Sequence, residues 1–172
     1  MEKKTTPKKN AAKNLAELFE DSLQDMFWAE QAILKGLDKM KVNATSSKLQ
    51  KAIEKHHGET QQQLELLERV FESLELPAKG KKCEAMAGIL EEGNTILKET
   101  EEGAVRDSGI IAACQKVEHY EIATYGTLIA YAKTLKYDEA SKILMEILEQ
   151  EKKTDEDLSK LATSEINGKA DA

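Results

Sequence analysis

Glu30, His56, Glu59, Glu118, Glu121, Glu151 and Asp155 occupy or adjoin positions on four helical stripes that are otherwise apolar. An ionised carboxylate inside a core is desolvated at a cost of several kcal/mol unless a cation or hydrogen bonds compensate it. A layer of carboxylates with one imidazole is the donor set of a metal site. Hard oxygen ligation with a single nitrogen donor suits iron or manganese.

Each of these residues has a competing role. Glu30, alone on its stripe, would instead pair with Lys35 or Lys39 if its helix rotated. Of the adjacent His56 and His57 only one can face inward; the stripe selects His56 and leaves His57 on the surface. His119 lies one residue off its stripe, so it reads as an orienting hydrogen-bond donor outside the ligand set. Glu59 competes with Thr60 for the inward position on the second helix, and Asp155 with Thr154 on the fourth. Tyr125, one turn beyond Glu121, reads as core with its hydroxyl satisfying a carboxylate. Phe27 and Trp28 read as packing residues or dimer surface.

The elements that must position these groups follow from apolar periodicity. Leu15, Phe19, Leu23, Met26, Ile33, Leu37 and Met40 recur at three and four residues, the period of one helix face. A break at Asn43 to Ser47 leads to a second such run through Leu49, Ile53, Leu67, Val70 and Leu74, ended by Pro77 and Gly80. Residues 83 to 99 form a shorter helix, suited to a crossover, before Gly103 punctuates the chain. The third long helix starts near Val105 to Ser108 and carries Ile110, Cys114, Glu118, Glu121, Tyr125 and Leu128. After a turn at Tyr137 and Asp138, the fourth carries Ala140, Leu144, Ile147, Glu151, Leu158 and Ala162. A polar tail follows Ser164.

Helical rise places the polar residues at matching depths. Glu30 lies roughly 18 Å before the first hairpin and Glu59 about 20 Å after it, and Glu121 and Glu151 repeat that relation across the second. With a crossover helix returning the chain to the far end, both pairs fall near the middle of an antiparallel four-helix bundle roughly 45 Å long. Ferritin-like carboxylate proteins build dinuclear sites there, from one Glu on each of two helices and Glu-x-x-His on the other two. This chain departs from that pattern: its second helix reads His56-x-x-Glu59, and its fourth reads Glu151-x-x-x-Asp155 with no histidine.

Composition bounds the rest. With 172 residues, 33% charged, 5% aromatic, nine Gly and two Pro, the chain suits one all-α domain with its own core. A net charge of -7 argues against general nucleic-acid binding, which needs a basic surface. Cys83 and Cys114 form no Cys-x-x-Cys, so neither a rubredoxin-type iron site nor a dithiol redox pair is present in sequence. The expected organisation is a flexible basic tail over 1–12, the bundle over 13–166 and a flexible tail over 167–172. The N-terminus lacks the apolar run of a signal peptide and nothing reaches the length of a membrane span, so no membrane partner and a cytoplasmic location are expected.

The segments FWAEQAILKGL, HHGETQQQLELLERVFE, CEAMAGILEEGN, KVEHYEIATYGTL and EQEKKTDEDL resemble the YciE/YciF family of bacterial ferritin-like stress proteins over roughly residues 14 to 166. KVEHYEIATYGTL is the most specific part. The resemblance implies a homodimeric, rubrerythrin-like bundle with a dinuclear metal site, and it puts Glu30, His56, Glu59, Glu118, Glu121, Glu151 and Asp155 at the family's characteristic polar positions. Two ions of iron or manganese are the expected cofactor. Peroxide, oxygen or iron would be handled there, and without clustered cysteines any electron donor must be external. The alternative is a structural or interaction protein whose buried polar layer specifies helix register without metal. A ferritin-like storage shell or a DNA protector ranks third, against the acidic charge.

Overall fold

Side-chain caps mark where the helices begin in the computed structural model, which describes residues 5–9 and 11–171. Asn14 accepts the Glu17 N–H at 2.9 Å while the Glu17 carboxylate accepts the Lys13 N–H at 2.8 Å, satisfying two donors at the start of α1 (Leu15–Asn43). Ser46 caps α2 (Ser47–Ser73), and the Cys83 sulfur does the same for α3 (Glu84–Glu99). Gly103, at φ +119°, precedes α4 (Ala104–Leu135), in a backbone region that glycine enters without steric cost. Lys136 is left-handed at φ 60° and the Tyr137 N–H returns to the Ala132 carbonyl at 2.9 Å, a tight turn into α5 (Asp138–Leu161).

Each of the four long helices packs on two others: α1 on α2 and α4, and α5 on α4 and α2. Short connections make α1 antiparallel to α2 and α4 antiparallel to α5. Helix α3 lies outside, against α1 and α4, and carries the chain back to the end where α1 meets α2. The all-α, antiparallel four-helix bundle with a crossover helix is therefore the observed architecture. Its core runs the length of the bundle, from Phe19, Leu23 and Phe71 at one end, through Tyr125 and Ile147, to Leu49, Ile53 and Ile110 at the other.

A buried acid locks that second end. Asp107, 2% exposed in the first turn of α4, accepts from the Thr45 N–H at 2.7 Å, the Thr45 hydroxyl at 2.7 Å and the Ser46 N–H at 2.9 Å. It serves the turn between α1 and α2 and, by its position near the α4 N-terminus, lies at the favourable end of that helix's dipole.

Three expectations change. The C-terminal segment is not a tail: a π-helical turn (Ala162–Ile166) and a short α6 (Asn167–Ala170) continue α5. Ile166 is buried at 2%, the segment packs on α4, and Asn167 Oδ1 lies 3.0 Å from Ser108 Oγ. A single apolar residue among polar ones gives too little periodicity to reveal this in sequence. Phe27 is core, meeting Phe71 edge to face at 5.5 Å, and so presents no surface to a second subunit, whereas Trp28 is half-buried. Helix α4 begins at Ala104, ahead of the expected start. Of the predicted N-terminal tail, residues 5–9 and 11–12 carry no regular helix or strand, while 1–4 and 10 lie outside the described residues. Among the described residues no helix is long and apolar enough to cross a membrane.

Candidate metal centre

The polar layer crosses the bundle at mid-height, fed by all four long helices. Helix α1 contributes Glu30, α2 His56, Thr60 and Gln63, α4 Glu118 and Glu121, and α5 Glu151 and Thr154, all buried. Apolar residues bracket it along each helix, among them Ile33, Ile53, Leu67, Tyr125, Ile147 and Leu158, which exclude water and fix the facing rotation.

Four of these side chains converge. One donor atom from each of His56, Glu118, Glu121 and Glu151 lies within 4.8 Å of the other three. Donors so spaced can surround a cation, since metal bonds to oxygen and nitrogen are about 2.0–2.6 Å long. Glu30 stands beside this group, close enough to Glu121 and Glu151 for their charges to act on one another, and accepts a hydrogen bond from the Tyr125 hydroxyl. Glu151 accepts from the Gln63 amide, which also donates to Gln150 Oε1 at 3.0 Å.

These bonds satisfy only part of the layer. Both oxygens of Glu118, both of Glu121 and Oε2 of Glu30 are buried without a hydrogen-bond partner. His56 Nδ1 lies 2.8 Å from Glu118 Oε1, close enough for an ion pair yet not aligned as a hydrogen bond. Buried polar atoms are nearly always paired, so this density of orphaned acceptors suits a layer that binds a cation. The donor set is hard and oxygen-rich, matching iron or manganese better than a softer metal.

The electrostatics agree. Burial, then the neighbouring Glu151 charge, pushes the Glu30 carboxyl up to about 8, against the lowering effect of the Tyr125 hydroxyl. Burial likewise pushes Glu118 up to about 8. It also raises Glu121 and Glu151 well above the ordinary carboxyl range, with repulsion between neighbouring acids adding to both. Burial pulls the His56 imidazole down despite the attraction of Glu151 and Glu30, favouring the neutral ring that binds metals.

Glu59 and Asp155, also expected as ligands, do not join the converging group. Glu59 is half-buried at the rim, held by Lys55 at 2.6 Å and facing the Thr154 hydroxyl at 3.4 Å. Asp155 accepts from Gln115 at 3.2 Å and lies 3.3 Å from the exposed His119. Their inward alternatives, Thr60 and Thr154, are the buried ones. Gln63 also belongs to the layer, as the partner of Glu151 and not as one of the expected ligands; its position on the His56–Thr60–Gln63–Leu67 progression is the signal for it in the sequence. Glu30 takes Tyr125 rather than a lysine, and His57 is half-buried, 3.4 Å from Asp38.

The sequence pattern described as Domain of unknown function (DUF892) matches residues 14–171. Protein YciF of Escherichia coli is 43% identical over 160 residues, covering 92% of this chain and 96% of YciF. The crystal structure of that protein, described as a stress protein, superposes with a TM-score of 0.87 over 91% of this chain and 99% of its own. YcfI of Rhodopseudomonas palustris, 37% identical, gives a TM-score of 0.85 over 88% of this chain and 96% of its own. A protein of Xanthomonas campestris, 23% identical with a TM-score of 0.74 over 92% of this chain and 97% of its own, shares the fold.

Proposed function

The chain belongs to the DUF892 family, and we propose that it holds two iron or manganese ions in its carboxylate layer and handles peroxide, oxygen or iron under stress. The observation that carries this reading is the set of buried carboxylate oxygens on Glu118 and Glu121 that no protein donor reaches. Glu30, His56, Glu118, Glu121 and Glu151 would hold the ions, with Glu59 and Asp155 near enough at the rim to act on the charge of Glu118. Bound metal supplies redox chemistry toward peroxide or oxygen. The protein's part is to hold it: Tyr125 orients Glu30, Gln63 orients Glu151, and the apolar residues above and below keep bulk water out. Cys83 and Cys114 are free and sit on separate elements, so electrons for repeated turnover would come from an external donor.

Elemental analysis of protein purified without chelator tests this directly. The expected result is close to two iron or manganese ions per chain, lost in Glu121→Ala. Protein that binds neither ion in calorimetry favours the second reading, a metal-free bundle whose polar layer specifies packing, for which the Tyr125–Glu30 and Gln63–Glu151 bonds are the supporting observation.

The proposed assembly is a homodimer, in line with the family resemblance. Sedimentation is expected to give twice the 19.2 kDa chain mass. A concentration-independent mass of 19.2 kDa removes the dimer and leaves the fold untouched.

A further inference from the structure

A cavity of about 420 Å³ opens between α1, α3 and α4, within the size range of small-molecule sites. Trp28, Ile33, Leu37, Ile89, Leu90 and Val117 give it apolar walls. Its α1 lining extends from Trp28 to Met40, about 18 Å along the helix axis. Gly36 and Gly93 also line it; a Cβ on Gly36 would come within 2.9 Å of Leu90 Cδ2, and one on Gly93 within 2.7 Å of Met40 Cε. The missing side chains let these two apolar groups lie against helix backbone.

The lining is chemically polarised. Lys35 and Lys39 stand one turn apart on α1, both exposed, and Lys39 Nζ donates to Asn94 Oδ1 at 2.5 Å across to α3. Among the described residues neither lysine forms an ion pair with an acid, which leaves the charge of Lys35 without an acidic partner and that of Lys39 met only by the neutral Asn94 amide. Glu118 also lines the cavity, fully buried, with both carboxylate oxygens lacking a hydrogen-bond partner. The cleft thus joins exposed cations to a carboxylate of the candidate centre by way of apolar walls.

We propose that this cleft binds a single-chain amphiphile, its anionic head at Lys35 and Lys39 and its carbon chain running inward along the apolar walls toward Glu118. Such a chain matches the two chemistries of the cleft above Glu118: the walls remove it from water, and the lysines take the head. That the bound chain is the substrate of the centre rests on the metal reading above; that it is bound does not.

Trp28 is the single tryptophan and lines the cleft, so quenching of its emission by ω-bromodecanoate, added to the full chain in chelator, reports occupancy. Saturable quenching is expected. Lys35→Glu, an exposed substitution that leaves the core untouched, is expected to weaken it about tenfold, while the neutral ω-bromodecanol shows no dependence on Lys35. Ala113→Phe, which fills the cleft, is expected to abolish quenching by both probes. Quenching that does not saturate, or that ignores Lys35→Glu, overturns the proposal. So does Trp28 emission that changes with protein concentration alone, because a second copy then covers the cleft. Metal calorimetry on the same samples separates the two ideas: failure to bind metal with intact quenching removes the centre and keeps the cleft, and the reverse removes the cleft alone.

Discussion

Iron or manganese at a hundredfold excess over its dissociation constant is expected to stabilise the wild-type protein by about 2.7 kcal/mol, through preferential binding to the folded state. For a chain of this size that corresponds to roughly 5 to 10 °C in Tm. Glu121→Ala is expected to lose most of this gain, since it removes a buried carboxylate from the converging group. His57→Ala, at a half-buried position paired with Asp38, keeps it. Glu59→Ala falls between, because Glu59 stands at the rim. The same substitutions invert without metal. A buried acid with no partner is a liability, so metal-free Glu121→Gln should match or exceed wild type in stability, and Glu121→Leu should exceed it by about 1–4 kcal/mol. Differential scanning calorimetry with and without chelator measures both halves. A wild-type melting curve indifferent to both ions sinks the dinuclear reading.

The second large effect is a reversal of pH dependence by metal. Glu30 and Glu118 titrate near 8 in the folded protein, well above the ordinary carboxyl value of 4.5. Glu121 and Glu151 are likewise raised well above it, by burial and by repulsion from neighbouring acids. A carboxyl with a raised folded-state pKa holds its proton in the native state where the unfolded chain has released it. Its stabilising contribution is complete below 4.5 and lost as pH rises through about 8. His56 works the other way, its depressed pKa costing stability as pH falls, but it is one group against four carboxyls. Metal-free protein should therefore lose several kcal/mol between about pH 5 and about pH 8. Metal-loaded protein should gain over that window, because the cation requires the deprotonated ligands. Urea midpoints at the two pH values, with and without chelator, decide it. Metal-free protein that becomes more stable at the higher pH would show the carboxylates to be compensated by some other group.

Much of this was legible in the sequence, for a physical reason. Side chains that face a core on a regular helix must recur with its period, so Phe19 to Met40 and Leu49 to Leu74 disclose their helices without any tertiary information. Glu30, His56, Glu118, Glu121 and Glu151 stand out because they interrupt those stripes. What the period does not fix is rotation. Successive residues are about 100° apart, so positions three and four beyond a stripe residue fall roughly 60° to one side of it and 40° to the other. On α2 the fourth residue after His56, Thr60, turns inward and Glu59 stays at the rim; on α5 the third after Glu151, Thr154, turns inward and Asp155 does not. The offset that answers correctly for one helix fails for the other, because neighbouring helices set each rotation. Ile166 escaped for a related reason: its burial depends on α4 lying alongside, which no local pattern records.

The Asp107 clasp bears on how the molecule comes apart. Its carboxylate belongs to α4, but every hydrogen bond it accepts comes from the turn between α1 and α2, more than sixty residues earlier. If that turn opens, a charge within the protein loses its donors, and if the start of α4 frays, two backbone amides of the turn lose their acceptor. Neither end can loosen alone at low cost. The two helical hairpins, free to breathe as separate halves without this clasp, are tied to one opening event at this end of the bundle, so amide exchange at Thr45 and Ser46 is expected to follow the opening of α4 rather than that of the turn itself.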